Sequence, residues 1–526
     1  MWLKANSKEL QWFLESASVY WEKNLPKPAD DAVIVVEMFH QDIRVNLRNL
    51  AFANALRRLH PARMVVLTGV EDAWMATLWS GFNVETVRKV SDAFAGSEVI
   101  DVWDKVRASS TPARDDKTIV EYTDATYCRL AKLPRLPQGY QSRPDYKLRH
   151  TYATRLHDFY TELFQRDVVA LVTSHVDYDQ WGLASEAARQ AQVPIIHTQQ
   201  TGCMKAYALF PEKDTRTGTF REELTRQIGD VFETKVWTKR ESLRQTAELV
   251  AWRAKVNLGR PSWWRGGVTA SVDLNNPAER ARLRTHVVDR LGFDPDKPII
   301  TVYNHAVSDA LGTNRELFPS LADWFADTAA YAAEHPEAQW LFLDHPSQAL
   351  YDSTSFFDSV AEKYKKVKHM AFTPSATLSK NALWSLTDLG VTVRGSVSNE
   401  LPAYGIPVIQ AGWSEWSSCG LSIVVDDQDA YWKTLEQSIT AIRAGEELVT
   451  EEQVRRARLW LWLYRSGTDV VTPLVPQWEV WPADTLLKTM RATFRHIEAD
   501  ADPMYTAVER MWTRREPMLT RTDFDA

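Results

Sequence analysis

"IITVYNHAVSDALGTNRELFPSLADWFADTAAYAAEHPEAQWLFLDHPSQ", residues 299–348, decides the fold. Two short runs within it, IITVY and AQWLFL, are almost unbroken in apolar, β-branched and aromatic residues. Between them, PSLADWFADTAAYAAEHP places its apolar residues at helical spacing. A strand with one wet face alternates apolar and polar residues, whereas a continuous apolar run of this length is a strand covered on both faces. Strand, helix, strand in that order calls for a crossover, and hence a parallel sheet with helices on its faces. Each run stops on polar residues, Asn304 and His305 in the first and Asp344, His345 and Pro346 in the second. Ligands of such sheets bind beyond the carboxyl ends of the strands. Proline also simply terminates strands, so His345 reads either as part of a terminus or as a ligand contact.

The alternation continues on both sides. Downstream follow TSFFDSVAEKYKK, VKHMAF, TLSKNALWSLT, LGVTVRGS, IPVIQAG, LSIVVDD and QDAYWKTLEQSITAIRAG, helices and strands of one α/β series. Upstream, DDAVIVVEMF (30–39), VNLRNLAFANALRRLH (45–60) and ARMVVLTG (62–69) form a β-α-β unit. A proline-bearing region, 111–146, shows no pattern, and the series resumes with LRHTYATRLHDFYTELFQ, DVVALVTSH, YDQWGLASEAARQAQ and VPIIHTQQTG. Glycine and proline punctuate 256–297, which reads as a connection. The expected organisation is an N-terminal α/β domain over 1–255, an interdomain connection over 256–297, a C-terminal α/β domain over 298–480, and a helical tail, 481–526, packing back on the first domain.

A chain of 526 residues accommodates two or three domains at roughly 100–200 residues each. A net charge of −7 excludes attraction of the whole protein to nucleic acid. The three cysteines, Cys128, Cys203 and Cys419, are too scattered for a disulfide framework or a zinc site. No signal-peptide core and no apolar run of about 18 residues is visible, so a cytoplasmic location is expected. The Trp-rich RRARLWLWLYR, 455–465, reads as a packing surface, with peripheral contact at a membrane face as the alternative.

Polar clusters at strand ends supply the candidate site. YNHAVSDALGTN contributes Asn304 and Asp309, DHPSQ contributes His345 and Pro346, and RGSVSNELPAYGIPV contributes Gly395, Ser396, Ser398 and Glu400. Serine hydroxyls and a helix N-terminus can hold a phosphate, and Glu400 can accept ribose hydroxyls; the same residues also make an ordinary helix cap. No Asp-x-Asp stands at a strand end, so no metal is expected; the carboxylates of VVDDQDA, 424–430, read as caps. On the first domain, TSHVDYDQWG offers His175, Asp177 and Tyr178, with His175 or Asp177 as a general base. HTQQTG adds Gln199, and GRPSWWRGG adds Arg260, Trp263 and Trp264 as aromatic and cationic contacts for an acceptor glycan.

The order of these motifs, Asp309 after the first strand, the His-Pro strand, and then GSVSNELPAYGIPVIQAG, resembles the capsule polysaccharide biosynthesis family and the related retaining β-Kdo transferases. The resemblance implies a GT-B fold, two Rossmann-like domains facing across a cleft with C-terminal helices. It implies a metal-independent bacterial glycosyltransferase of surface polysaccharide synthesis with no cofactor, its co-substrate a nucleotide sugar, CMP-linked Kdo or a related 2-keto acid. The acceptor would be a glycan or glycolipid, reached at the inner face of the membrane or in a polysaccharide-assembly complex. Asp309 would be the nucleophile of a retaining reaction, His345 would contact the departing phosphate together with Ser396 and Ser398, and Glu400 would hold the ribose. A UDP- or GDP-sugar enzyme and a catalytically silent nucleotide-sugar-binding scaffold are the alternatives.

Overall fold

The structure is a computed structural model, and it describes residues 8–28, 31–40, 42–69, 83–199, 203–215, 218–244, 276–309, 315–475, 483–497 and 501–526. Its frame is two six-stranded sheets. The first contains β1 (Val33–Glu37), β2 (Arg63–Thr68), β3 (Glu98–Asp101), β4 (Val168–Thr173), β5 (Ile195–Thr198) and β6 (Ala206–Leu209), in the order β3-β2-β1-β4-β5-β6. The second contains β7 (Ile299–Tyr303), β8 (Gln339–Leu343), β9 (Met370–Thr373), β10 (Leu389–Thr392), β11 (Val408–Gln410) and β12 (Ile423–Val424), in the order β12-β11-β10-β7-β8-β9. Both follow the Rossmann order, in which the chain starts at the centre, works to one edge, and returns to build the other half. Every pairing is parallel except that of β5 with β6.

The apolar runs are continuous because both sheets are covered on both sides. In the first sheet Val33, Val35, Val65, Leu67 and Leu171 enter one core, and Ile34, Val36, Met64, Val66, Ala170 and Val172 enter the other. Ile300, Val302, Trp340 and Phe342 divide in the same way from Ile299, Tyr303, Leu341 and Leu343 in the second.

Several elements differ from the sequence expectation. The unpatterned region 111–146 contains a helix, Lys117–Ala131, started by the Asp116 side chain accepting from the backbone N–H of Ile119. Strands β3 and β6 were not read from the sequence. Within the expected connection, residues 256–275 lie outside the described residues; the one helix expected inside it is Pro277–Leu291, and it docks on the second domain, where Arg284 pairs with Asp388 at 2.8 Å. The chain joins the first core again at Glu451–Trp462, ahead of the expected boundary at 480. Trp460 and Trp462 of that helix are buried, which removes the membrane-facing alternative for them.

Helices Ala483–His496 and Pro503–Arg514 cover the other face of the first sheet together with Lys8–Asn24, with Phe13 against Phe494 at 5.6 Å between ring centres. Met518 then pairs with Tyr207 of β6, adding a short antiparallel edge. No helix among the described residues is long and apolar enough to cross a membrane.

Helix Tyr178–Gln190 lies against Lys117–Ala131 at Gly182, where an added Cβ would stand 2.0 Å from Tyr122 Cε1. Gly182→Ala is therefore expected to cost about 1–3 kcal/mol by overpacking. Urea denaturation measures it, and an unchanged midpoint would remove the close approach as a constraint.

Candidate active site

The two strands that part company at the centre of the first sheet are β1 and β4, and Glu37 ties their ends together. Its buried carboxylate accepts from the backbone N–H and hydroxyl of Ser174 at 2.9 and 2.7 Å and from the N–H of Phe39 at 2.6 Å. The crevice at such a reversal is where doubly wound sheets take ligands. His40 and His175 stand there with ring centres 6.0 Å apart. Burial, with His175 adding to it, pushes the His40 imidazole down to about 4, and burial pushes His197 down to about 3, so both are neutral at pH 7. The His175 Nδ1 meets the Ser174 carbonyl, which places its proton on that nitrogen and leaves Nε2 as an acceptor. Gln199 is turned onto the His197 ring at 3.2 Å.

Asp177 follows on the same loop and is buried. Burial opposes its charge, but Arg221, bonded to both carboxylate oxygens at 2.9 and 2.5 Å, and Arg315, at 3.5 Å, outweigh it and hold the carboxyl well below the usual range. So weak a base does not take a proton from a hydroxyl at neutral pH. This corrects the expectation for Asp177, which is an ion-pair anchor, and leaves His175 as the base candidate.

In the second domain the corresponding reversal lies between β7 and β10. Asn304 ends β7; its side-chain oxygen accepts from the N–H of His305 at 2.9 Å, and its Nδ2 is buried with no partner among the described residues. His305 stacks on His345, ring centres 5.7 Å apart and planes within 19°. Burial lowers the His345 pKa against the opposing pull of Asp309 and Asp344. Its Nδ1 accepts from the Ser347 N–H at 3.2 Å, so the neutral ring carries its proton on Nε2. It therefore offers a neutral N–H donor. Asp344 faces elsewhere, accepting from the Ser375 N–H at 2.6 Å, and Pro346 is exposed beside His345.

The RGSVSNE loop divides. Gly395 and Ser396 remain at the β10 end, with Ser396 exposed and making no side-chain cap. The Ser398 hydroxyl is fully buried, donating to the Gly395 carbonyl at 2.8 Å and accepting from Trp416 Nε1 at 2.9 Å. Glu400 is buried between Lys380 and Arg465, each at 2.6 Å. Phosphate and ribose contacts expected of Ser398 and Glu400 are thus replaced by internal packing and ion pairs.

Between the domains, Tyr178 donates to Asp309 Oδ1 at 3.0 Å. Tyr178 is in the left-handed backbone region, φ 63°, a conformation that costs a side-chain-bearing residue about 1–2 kcal/mol. Arg394 donates to the Asp309 carbonyl at 2.5 Å and forms an ion pair with Glu316 at 2.5 Å. Tyr351 lies beside Asp309, which together with burial pushes its hydroxyl up to about 12.

The sequence reading brought out Asp309, His345, Asn304, His175 and Tyr178 of this group and missed Arg221, Arg315, Arg394, His305, His40 and Tyr351. Arg394 and His305 stand directly at strand ends, a signal present in VTVRGS and VYNH. Arg221 comes from helix Phe220–Val231 and Tyr351 from the short helix Gln348–Tyr351 after the His-Pro, where nothing local marks them. Arg260, Trp263 and Trp264 lie outside the described residues. Among the described residues no three His, Cys, Asp or Glu side chains converge as a metal-ligand set.

No protein-family model and no curated protein matches the chain. Among solved structures it is similar to the N-terminal domain of trehalose-6-phosphate phosphatase of Candida albicans, at 11% identity over 88% of this chain and 98% of that one, TM-score 0.33. It is also similar to UDP-GlcNAc 2-epimerase of Neisseria meningitidis bound to UDP-GlcNAc, at 11% identity over 83% and 100% of the two chains, TM-score 0.26. A third is a family 9 glycosyl transferase of Veillonella parvula, at 13% identity over 84% and 99%, TM-score 0.22. At such scores no residue is transferred from them, and the roles below rest on this chain's own geometry.

The neutral histidines set an acid limit. His40 and His197 take up protons on unfolding below the ordinary value of 6.5 and resist them when folded. Stability is therefore complete above about 6.5 and falls as pH drops, by at most about 1.4 kcal/mol per pH unit for each imidazole. Urea midpoints at pH 7 and pH 5 measure the slope, which His197→Gln should reduce; a flat profile would mean that the imidazoles are hydrated.

Proposed function

We propose that the protein is a glycosyltransferase working in the interdomain cleft, with a nucleotide-activated sugar as donor, specifically a CMP-linked 2-keto acid such as Kdo, and a glycan or glycolipid of a bacterial surface polysaccharide as acceptor. The observation that carries this reading is the Asp309 carboxylate, which lies beyond β7 beside His345 and within hydrogen-bond reach of Tyr178 from the opposite domain.

Sugar transfer passes through a cationic, oxocarbenium-like state that a nearby carboxylate stabilises. Asp309 attacks the anomeric carbon, the bond from that carbon to the phosphate oxygen breaks, and its electron pair leaves with CMP. His345 donates a hydrogen bond from Nε2 to the leaving phosphate, and the exposed Ser396 hydroxyl and the Asn304 Nδ2, which has no partner among the described residues, are further donors on that side. Next the acceptor hydroxyl displaces the Asp309 ester, giving its proton to His175 Nε2, and two displacements retain the configuration.

A thermal-shift series with CMP, UDP, GDP and ADP tests the donor, since a ligand bound only by the native state raises its apparent stability. CMP should raise the midpoint; a shift with UDP or GDP instead would replace the CMP donor, and none with any nucleotide would overturn the reading. His345→Ala should weaken nucleotide binding about ten- to a hundredfold, for roughly 1.5–3 kcal/mol of lost contact. Asp309→Ala should abolish turnover with little change in melting temperature, and a fully active variant would eliminate the covalent route.

A further inference from the structure

Two tyrosines, one from each domain, converge on one carboxylate, and a first-domain arginine holds one of them. Tyr178, at the start of a first-domain helix, donates its hydroxyl to Asp309 Oδ1 at 3.0 Å. Tyr351, at the end of the short second-domain helix Gln348–Tyr351 after the His-Pro, lies close enough to Asp309 for that carboxylate to be the main charge acting on its hydroxyl. Arg129, near the end of first-domain helix Lys117–Ala131, covers the Tyr351 ring with its guanidinium 3.8 Å from the centre, and its Nη1 donates to the Leu350 carbonyl at 3.0 Å. The clamp continues on both sides, since the Ser353 N–H donates to the Lys132 carbonyl at 3.0 Å and the Ser308 hydroxyl to the Tyr351 carbonyl at 2.6 Å. Ser308 is the residue before Asp309, so whatever holds Tyr351 also holds the backbone that carries the carboxylate.

We propose that Tyr178 and Arg129 are positioning residues for Asp309, Tyr178 by direct hydrogen bond and Arg129 through Tyr351, so that the carboxylate is fixed only when the first domain is closed on the second. A carboxylate left to rotate spends part of its time turned from an incoming carbon, whereas one with an oxygen bonded and its backbone clamped presents the other oxygen in one direction. Closure of the acceptor-binding domain thereby becomes a condition for reaction at the donor, which limits attack by water in the open state. The inference rests on the glycosyl-transfer reading for what Asp309 does, but not for how it is held.

Tyr178→Phe removes the hydroxyl while keeping the ring and the backbone, and Arg129→Ala removes the clamp, with Arg129→Lys retaining a cation over the ring. Labelling by a water-soluble carbodiimide with glycine ethyl ester, followed by peptide mass mapping, reads the freedom of Asp309 without any substrate. Asp309 should label about two- to tenfold faster in Tyr178→Phe and Arg129→Ala, the factor that a lost hydrogen bond corresponds to, with Lys partly restoring the slow rate and exposed Glu85 unchanged in all. With donor and acceptor present, kcat should fall roughly ten- to a hundredfold with the donor KM unchanged. Equal labelling of Asp309 in wild type and Tyr178→Phe overturns the proposal, as does a loss confined to KM. Absence of turnover in the wild type would instead overturn the glycosyl-transfer reading, and the labelling would still decide the positioning. Should Arg129→Ala fail to fold, Tyr351→Ala, which removes the ring beneath Arg129, tests the same link.

Discussion

Asp177 is the charge on which the two domains meet. A buried carboxylate is tolerable only when cations replace its water, and here they come from both sides, Arg221 from the first domain and Arg315 from the second. Arg221 also extends to Glu415 of the second domain at 2.7 Å, so four charges of alternating sign run across the cleft. Losing one partner of such a buried pair costs about 3–5 kcal/mol, against about 0.5–1.5 kcal/mol for a neutral hydrogen bond. The ion-pair chain, more than any single hydroxyl contact, fixes the spacing of the domains. Because Asp177 is the residue before Tyr178, the anchor that sets this spacing also delivers the Tyr178 hydroxyl to Asp309.

The fold was legible wherever burial on both faces wrote itself into the sequence. IITVY, WLFL and VIVV could only be central strands, and β1, β7 and β8 are where the text placed them. Strand β3, EVID, is partly exposed and carries an acid at each end, and β6, AYAL, has the composition of a helix. Both lie at or near sheet edges, where neighbours rather than local pattern decide the conformation. Helix Lys117–Ala131 was hidden by the prolines around it, although its Asp116 cap was readable. The early return at Glu451 carried no signal, since a helix that rests on both domains has the same apolar face as one that rests on either.

The candidate site divides along the same line. Strand ends are predictable places, so the sequence could place Asn304, His345 and His175 just beyond β7, β8 and β4 and Asp309 on the loop that follows β7. Orientation is not predictable, because it is settled by the nearest partner in three dimensions. Trp416, 18 residues on, claims the Ser398 hydroxyl, and Lys380 and Arg465 claim Glu400. A small polar residue after a strand has as many internal uses as external ones, and only the neighbours distinguish Ser396, left exposed, from Ser398, enclosed.

Tyr178 shows how function and packing can be separated by magnitude. Glycine or asparagine would adopt its left-handed backbone at little cost, whereas tyrosine gives up about 1–2 kcal/mol there. Burying the ring recovers an amount of that order, and another apolar side chain at the same place would recover it equally. Neither backbone nor burial therefore calls for a phenol. What only tyrosine supplies is a hydroxyl long enough to reach Asp309 across the domain boundary, a bond to a charged group of about 1.5–3 kcal/mol. That bond offsets the strain only while the domains are together, so the strained residue and the closed cleft depend on each other.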